Sequence, residues 1–359
     1  MNQPIDDQGR VRLKTLDKLG LERWVVELGM PAYRGRQIFA WLYKKGVSSV
    51  AEMTDLPAAV RDDLAGRSVI ESLQLVTEIR SADGTIKSLL SLTSGRRIET
   101  VLIPDFNDDG TVNRLTVCVS SQVGCALGCT FCATGKMGFL QDLSLGEITD
   151  QVLMMQKLAR REHDSRISNI VFMGMGEPLM NYRNVLGAIG IITGPDSLGM
   201  SPKRVTVSTV GLAKMIRRLA DDETRFNLAI SLHAPTDEKR SEIMPVNRSR
   251  RTDLKALRDA VRYYCSTLNR LVTYEYCMLG GYNDAPDDAR ALAGICGWAP
   301  SKVNLIMYNK VAGSDFRPTE ESELNHFIRI LVDRGIRVTV RRSRGQDIGA
   351  ACGQLATQF

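Results

Sequence analysis

The sequence predicts an α/β protein, in which a partial, curved barrel of six βα units follows a small helical module and a β-hairpin. Residues 13–68 carry apolar residues at helical spacing. Residues 73–119 change to strand patterns joined by Asp-Gly turns. From residue 115 onward, strand and helix patterns alternate six times, which is typical of a parallel sheet. Six units are too few to close an eightfold barrel, so the barrel is expected to be open.

The composition indicates a soluble globular protein. The chain has 359 residues, of which 43% are hydrophobic and 25% are charged, enough for one large domain and a small one. No apolar run reaches the ~20 residues that span a bilayer, and the first residues lack the pattern of a signal peptide. A cytoplasmic protein without membrane contact is therefore expected. Its eight cysteines should be reduced and act as ligands, catalysts or packing residues.

The N-terminal module contains a basic turn. Apolar residues at helical spacing occupy 16–28 and 38–42, and Tyr33-Arg34-Gly35-Arg36 lies between them. Basic residues on short helical hairpins often contact a nucleic-acid backbone, although a solvated charged face explains them equally well. The net charge of +6 also favours a polyanionic partner. We expect an N-terminal nucleic-acid-binding unit with its hairpin over 1–95, a barrel with its leading strand over 96–345, and a separate C-terminal segment over 346–359.

The predicted hairpin turns at Asp83-Gly84, and further strands cover 98–103 and, after Asp109-Gly110, 115–120. The predicted barrel strands are 115–120, 167–173, 204–208, 226–233, 272–279 and 302–309, and a further strand begins at residue 336. The predicted helices between them end near residues 161, 192, 220, 268, 298 and 334. The first helix begins at a capping box formed by Ser144 and Glu147.

Polar side chains share one face of several predicted barrel strands. Cys118 alternates with Val117 and Val119, and Ser208, Ser231 and His233 likewise alternate with apolar residues. An interior lined in this way is a site and not a packed core. Active sites of such barrels lie at the C-terminal strand ends, where Cys125–Cys132, Gly176, Glu177, Ser208, His233 and Asn309 fall. The pattern of 302–309 does not fix the direction of Asn309.

Three cysteines are spaced four and three residues apart in a glycine-containing loop, Cys125, Cys129 and Cys132. Three thiolates on a four-iron cluster leave one iron open to bind another molecule. A structural zinc site needs four ligands, and no fourth Cys or His is near in sequence. A zinc knuckle completed by a remote residue such as Cys118 is the alternative.

The CxxxCxxC spacing resembles that of the radical S-adenosylmethionine (SAM) enzymes, and Gly174-Met-Gly176-Glu177-Pro178 resembles their SAM-binding segment. The resemblance implies a TIM-like partial barrel. It also implies that Cys125, Cys129 and Cys132 hold a [4Fe-4S] cluster. The residues implied to bind SAM are Gly176, Glu177, Ser208, Ser231, Leu232, His233 and Asn309.

From about residue 13 to the end, the sequence resembles the bacterial adenine-C2 RNA methyltransferases, the RlmN family, whose sister family is Cfr. The matching stretches include Tyr33–Gln37, Arg97–Val101, Cys118–Cys125, Phe131–Gly135, Phe172–Pro178, Val207–Gly211, Ser231–His233, Val303–Ile306 and Ala351–Leu355. One departure is Tyr308-Asn309-Lys310, where Phe-Asn-Pro is commoner. Pro178 after Glu177, where Cfr has alanine, favours C2 over C8 chemistry. Cfr-like C8 methylation and another radical SAM reaction remain the alternatives.

The resemblance implies a dual-specificity reaction on an adenosine in the peptidyl-transferase region of 23S rRNA and on the adenosine 3′ of the anticodon in tRNA. It implies two SAM molecules per turnover. Cys352 takes a methyl group from one, and the other yields a radical that activates this methyl for attack on C2. Cys118 then releases the RNA and a disulfide forms, with Glu99 as proton acceptor. An edge-strand charge is the other interpretation of Glu99.

The resemblance further implies an electron donor such as flavodoxin or ferredoxin, and we expect a monomer. Arg341, Arg342 and Arg344 are candidate contacts to the RNA backbone. The remaining cysteines, Cys265, Cys277 and Cys296, are expected to be buried packing residues.

Overall fold

A computed structural model describes residues 5–71, 73–249 and 252–357. Residues 1–4, on which the signal-peptide expectation partly rests, and residues 358–359 of the predicted C-terminal segment lie outside the described residues. The N-terminal elements are β1 (Val11–Arg12), α1 (Lys18–Glu27), α2 (Tyr33–Ala40), α3 (Ala58–Arg67) and β2 (Ser68–Val69). Short 3-10 and π turns join them, and β1 pairs with β2. The predicted helical module is therefore present.

The helical module has a core of its own and is joined to the barrel. Asp17 caps α1 by accepting a hydrogen bond from the Gly20 N–H, and Leu21 and Trp24 on the buried face of α1 pack into this core. A buried ion pair of 2.6 Å links Lys14 Nζ to Asp150 Oδ1 on the first barrel helix. This pair fixes the module against the barrel.

The β-hairpin belongs to the same sheet as the barrel strands. β3 (Gln74–Arg80) and β4 (Ile86–Ser91) form the predicted hairpin, and β4 pairs with β5 (Arg97–Phe106). β5 in turn pairs with β6 (Val112–Cys118). The predicted unit boundary at residue 95 therefore falls between two hydrogen-bonded strands.

All six predicted βα units are present. β6 is followed by the cysteine loop and by β7 (Gln122–Gly124), α4 (Ala133–Lys136), β8 (Phe139–Asp142) and α5 (Leu145–His163). The later units contain β9 (Asn169–Phe172), α6 (Tyr182–Thr193), β10 (Val205–Thr209), α7 (Ala213–Asp221), β11 (Asn227–Ser231), α8 (Asp237–Ile243), α9 (Val246–Ser249), α10 (Leu254–Leu268), β12 (Val272–Met278), α11 (Pro286–Cys296), β13 (Ser301–Met307), α12 (Glu321–Val332) and β14 (Val338–Arg341). The short helices α4, α8 and α9 were not predicted from the sequence.

The strands form one ten-stranded sheet in the order β14-β13-β12-β11-β10-β9-β6-β5-β4-β3. The pairs from β6 to β14 are parallel, which confirms the predicted partial barrel. The chain after β14 returns to the opposite end of the sheet, where the Gly345 N–H donates to Asp83 at 2.9 Å and Ser81 donates to Asp347 at 2.6 Å. The C-terminal segment therefore bridges the open side of the barrel. In the described part of the chain, every helix is too short or too polar to cross a membrane.

Candidate active site

A cavity of about 160 Å³ opens at the C-terminal ends of the parallel strands. Most of the predicted site residues meet in it, namely Cys125, Cys129, Cys132, Gly176, Glu177, Ser208, Ser231, His233 and Cys352. Residues more than 200 positions apart in the chain are thus brought to one place, as the strand-end prediction required.

The three cysteines of the loop follow β7 and lead into α4, which begins directly after Cys132. Burial raises the pKa of Cys125 to about 12. Burial, and then the neighbouring charges of Cys132 and Cys125, raise the pKa of Cys129. Three adjacent buried thiolates therefore need a cationic centre to stay ionised. This donor set suits an iron–sulfur cluster.

The alternative of a closed zinc site finds no support in the geometry. Among the described residues, no group of three or more His, Cys, Asp or Glu side chains is placed to hold a single metal ion. Cys118, the proposed remote ligand, lines a different cavity. Thiolates on a cubane each bind a different iron and can lie further apart than ligands of one ion.

The loop after β9 places Gly176 and Glu177 at the cavity. Gly176 has φ +94°, and a Cβ there would lie 2.5 Å from the Cβ of Gln122, so only glycine fits. The two carboxylate oxygens of Glu177 accept from the Leu179 and Val210 N–H groups at 3.1 and 3.0 Å. Burial raises the pKa of Glu177 to about 7. A rigid, weakly ionised carboxyl group is thus held beside the cysteine loop.

Ser208 and Ser231 lie side by side at the ends of β10 and β11, with their hydroxyl oxygens 3.1 Å apart. His233 has a left-handed backbone, with φ 57°, and its Nδ1 accepts from the Cys277 N–H at 3.0 Å. Burial and the charge of Arg240 lower the pKa of His233 to about 3, so the ring is neutral. Leu232 is different, since its side chain is buried in the core and does not line the cavity.

Asn309 lies at the end of β13, where it binds the C-terminal segment. Its Nδ2 donates to the carbonyl of Cys352 at 3.2 Å, and its Oδ1 accepts from Gln346 Nε2 at 2.7 Å. It does not line the large cavity. In this conformation both polar atoms of Asn309 hold the segment that carries Cys352.

Cys118 and Cys352 line a second, smaller cavity of about 50 Å³, next to the first. Cys352 lines both cavities and so lies where they meet. Burial raises the pKa of Cys118 to about 12. All eight cysteines are free thiols, so the disulfide implied by the resemblance is not present in this state.

Glu99 is fully buried on β5. Oε1 forms an ion pair of 2.9 Å with Lys87 Nζ, and Oε2 accepts from the N–H groups of Ala356 and Thr357 at 2.8 and 3.2 Å. The edge-strand interpretation is therefore wrong. Glu99 anchors the backbone four and five residues after Cys352, and it lines neither cavity.

Three cavity residues were missed by the sequence analysis or given another role. Glu275 lines the large cavity on β12, where it is paired in register with Ser231. Phe131 packs its ring on that of His233, with the ring centroids 4.9 Å apart. Cys277 is buried as predicted but also lines the cavity. An acidic residue within a strand otherwise rich in Val, Tyr and Met was the available signal for Glu275.

The chain matches known proteins along almost its whole length. Residues 119–293 match the family model described as the radical SAM superfamily, and residues 11–70 match that of the ribosomal RNA large subunit methyltransferase N-terminal domain. A relative from Salinibacter ruber, described as a probable dual-specificity RNA methyltransferase RlmN, is 53% identical, with 98% of this chain and 95% of the relative covered. A relative from Anaeromyxobacter dehalogenans, described as a dual-specificity RNA methyltransferase RlmN, is 44% identical, with 96% and 92% covered.

A solved structure supports the same assignment. The crystal structure of a radical SAM methyltransferase from Sphaerobacter thermophilus has a TM-score of 0.89 and 42% identity, with 97% of this chain and 99% of that chain covered. The barrel and its three-cysteine loop define a radical SAM protein, a class that uses a [4Fe-4S] cluster and SAM. Within this class, the chain belongs to the RlmN family of RNA methyltransferases.

Proposed function

We propose that the protein methylates C2 of adenosine in 23S rRNA and tRNA by way of a methyl group carried on Cys352. The observation that carries this proposal is the place of Cys352 at the junction of two cavities. One cavity holds the cysteine loop and the Gly176-Glu177 segment, and the other holds Cys118. The relatives are described as dual-specificity RNA methyltransferases, and the matching N-terminal family model is described as that of a ribosomal RNA large subunit methyltransferase. These substrates also imply action in the cytoplasm.

The residues of the large cavity fit the cofactors. Cys125, Cys129 and Cys132 would hold the cluster, and Gly176, Glu177, Ser208, Ser231 and His233 would surround SAM. With SAM bound, the cluster would supply the electron that generates a 5′-deoxyadenosyl radical. Leu232 would contribute its main chain only, because its side chain is in the core. Asn309 would have to exchange its bonds to the C-terminal segment for bonds to SAM.

Adenine C2 needs an activated methyl donor, since this ring carbon has no nucleophilic lone pair. We infer that the thiolate of Cys352 takes a methyl group from a first SAM by displacement. A hydrogen atom is then removed from this S-methyl group with the help of a second SAM. The resulting carbon radical would add to C2, and the adduct would then lose the C2 proton and one electron, for which the cluster, oxidised when it reduced SAM, would be the acceptor. The protein is then joined to RNA through a methylene group on the Cys352 sulfur.

Cys118 would complete the cycle because it faces Cys352 across the second cavity. Its thiolate attacks the Cys352 sulfur, and the methylene leaves as the methyl group of the product. A disulfide remains, which cytosolic thiols reduce. Glu99 would enter as proton acceptor only after releasing Lys87 or the C-terminal backbone.

We assign RNA binding to the helical module and to two arginines on it, Arg34 and Arg36. Arg36 on α2 has a side chain that is 52% exposed, and Arg34 stacks on Tyr33 at 4.9 Å. Cationic side chains of this kind suit a phosphate backbone. The enzyme would act as a monomer that accepts electrons from a flavodoxin or ferredoxin. A Cfr-like C8 product is the second candidate, and the Glu177-Pro178 pair favours C2.

The replacement Cys118→Ala tests the carrier mechanism. The variant should still methylate Cys352, attack the base and then stall, with RNA joined to the protein. A slow band that nuclease destroys should appear on a denaturing gel. Cys352→Ala should give no such band, and the double variant should behave like Cys352→Ala. Free turnover of Cys118→Ala without an adduct would exclude the resolving role.

A further inference from the structure

Arg341 ends β14 and is directed into the second cavity. Its backbone is paired in register with Ile306, which is in turn paired with Cys277. Its Nη1 lies 3.1 Å from the Sδ of Met173, on the opposite side of the barrel. It lines the cavity together with Cys118 and Cys352. An arginine that the sequence suggested as a phosphate contact is therefore turned toward the two thiols.

The charged groups around this guanidinium include the two thiols, Cys118 and Cys352. The thiolate of Cys352, and then Glu275 and Cys118, raise the pKa of Arg341 against the effect of burial. Burial and the charge of Cys352 raise the pKa of Cys118 to about 12, and the charge of Arg341 and the Met173 N–H oppose this rise. Arg342 and Arg344 also line the cavity, and Arg344 lies 3.7 Å from Asp105.

We propose that Arg341 is a positioning residue for the thiol exchange, whose guanidinium stabilises the negative charge that forms on the Cys118 sulfur when it attacks Cys352. This inference rests on the proposed function, because it concerns the step that releases methylated RNA. In that step a bond forms between the two sulfurs, and the bond from the Cys352 sulfur to the methylene carbon breaks. The electron pair of the broken bond stays on that carbon, which takes a proton from water and becomes the methyl group.

The size of the effect follows from two opposing changes. If loss of the cation raises the affinity of Cys118 for its proton tenfold, the thiolate is about tenfold rarer at neutral pH. The remaining thiolate is roughly threefold more nucleophilic. The reason is that the rate of thiolate attack rises with the basicity of the thiolate, with a Brønsted coefficient of about 0.4–0.5. The net expectation is an exchange step that is about threefold slower for each tenfold change in proton affinity.

The experiment is a single-turnover reaction of holoenzyme with RNA. Cys352 is methylated beforehand, as verified by mass spectrometry of the protein. Samples are quenched at intervals, and the covalent adduct is measured on a gel. Arg341→Met and Arg341→Gln remove the charge, Arg341→Lys keeps it, and Arg337→Met is the matched control at an exposed arginine just before the same strand. Two uncharged variants are used in case one of them folds poorly.

In Arg341→Met and Arg341→Gln the adduct should form at the normal rate. Its decay should be at least about threefold slower, so the adduct should accumulate. Arg341→Lys and Arg337→Met should resemble the unaltered enzyme. Equal impairment of Arg341→Lys, or slow adduct formation with normal decay, would show a packing role and overturn the inference. If Cys118→Ala also fails to trap an adduct, the resolving step itself is wrong. If Cys118→Ala traps it while decay in Arg341→Met is normal, only the role of Arg341 is wrong.

Discussion

Cys352 is the residue on which the chemistry depends, and its neighbours explain why. It lies between a cavity with three cluster-type cysteines and a cavity with a single buried thiol, Cys118. A sulfur in this position can accept a methyl group in the large cavity. A thiol in the second cavity can then attack it and release that group. Its peptide carbonyl is bound by Asn309, so the residue is held in place by its backbone while the sulfur stays free to react.

The cysteine loop gives the first prediction at the residue scale. Replacement of Cys125, Cys129 or Cys132 by Ala should abolish the visible iron–sulfur absorbance and the cleavage of SAM, because a cluster cannot be held by two thiolates. Iron content and SAM cleavage are measured after anaerobic reconstitution. Cys265→Ala is the matched control, since this cysteine is buried elsewhere in the core. A single loop variant that keeps both properties would contradict the cluster assignment.

The buried ion pair of Glu99 with Lys87 gives the second prediction. Glu99→Gln removes the carboxylate charge that lies 2.9 Å from the buried Lys87 ammonium, which should lower the free energy of unfolding by about 3–5 kcal/mol. Lys87→Met should also destabilise the protein, and the double variant should cost less than the sum of the two single variants. Denaturant unfolding measures all three. A Glu99→Gln protein of normal stability but low turnover would assign Glu99 to proton transfer alone.

At the scale of elements, the C-terminal segment is held by distant parts of the chain. Asp347 binds the turn between β3 and β4, and the carbonyls of Gly353 and Leu355 accept from residues of α4. Glu99 fixes the end of the segment. These contacts bring the carrier cysteine to the cavities without any regular element of its own, apart from one 3-10 turn.

Loosening this docking is the third prediction. Asp347→Ala removes the hydrogen bonds that its carboxylate accepts from Ser81 Oγ at 2.6 Å and from the Ala82 N–H at 3.2 Å. Limited proteolysis should cut the C-terminal segment faster, and methylation of Cys352 should slow while cluster content stays normal. Asp333→Ala, at an exposed aspartate after α12, is the control. Unchanged proteolysis would mean that this contact does not hold the segment.

The helical module gives the fourth prediction. The double variant Arg34→Ala/Arg36→Ala should weaken RNA binding similarly for all sequences and reduce the salt dependence of affinity by about two phosphate contacts. SAM cleavage should be unaffected, since the module lies outside the cavity. Filter binding at several salt concentrations measures this effect. Arg290→Ala on α11 is the control, and equal loss of RNA affinity there would refute a special role for the module.

The sequence predicted the elements well where the signal is local. Each βα unit has its own period, and the alternation in β6, β10 and β11 correctly placed Cys118, Ser208 and Ser231 toward the interior. The long-range contacts could not be predicted, because Ser81 and Asp347 are 266 positions apart and no pattern links them. For the same reason, the inward direction of Arg341 was missed, although its strand was found.

At the scale of the whole molecule, the C-terminal segment and the β3–β4 turn meet across the open side of the barrel. The C-terminal segment joins β14 to the β3–β4 turn, so the hairpin supports the carrier cysteine although it precedes the barrel in sequence. Removal of residues 1–95 would therefore take away β3, β4 and the anchors of the segment as well as the helical module. Point substitutions separate RNA binding from catalysis better than such a deletion.

The central claim is that the methyl group passes through Cys352 to adenine C2, and a deuterium label tests it most directly. The enzyme is first given SAM with a trideuterated methyl group, then RNA, and the nucleosides are analysed by mass spectrometry. One deuterium is lost when the S-methyl group is activated, and a solvent proton enters when Cys118 releases the product. The account predicts 2-methyladenosine whose methyl group carries two deuteriums. A fully deuterated methyl group, as direct transfer would give, or 8-methyladenosine as the product would contradict it.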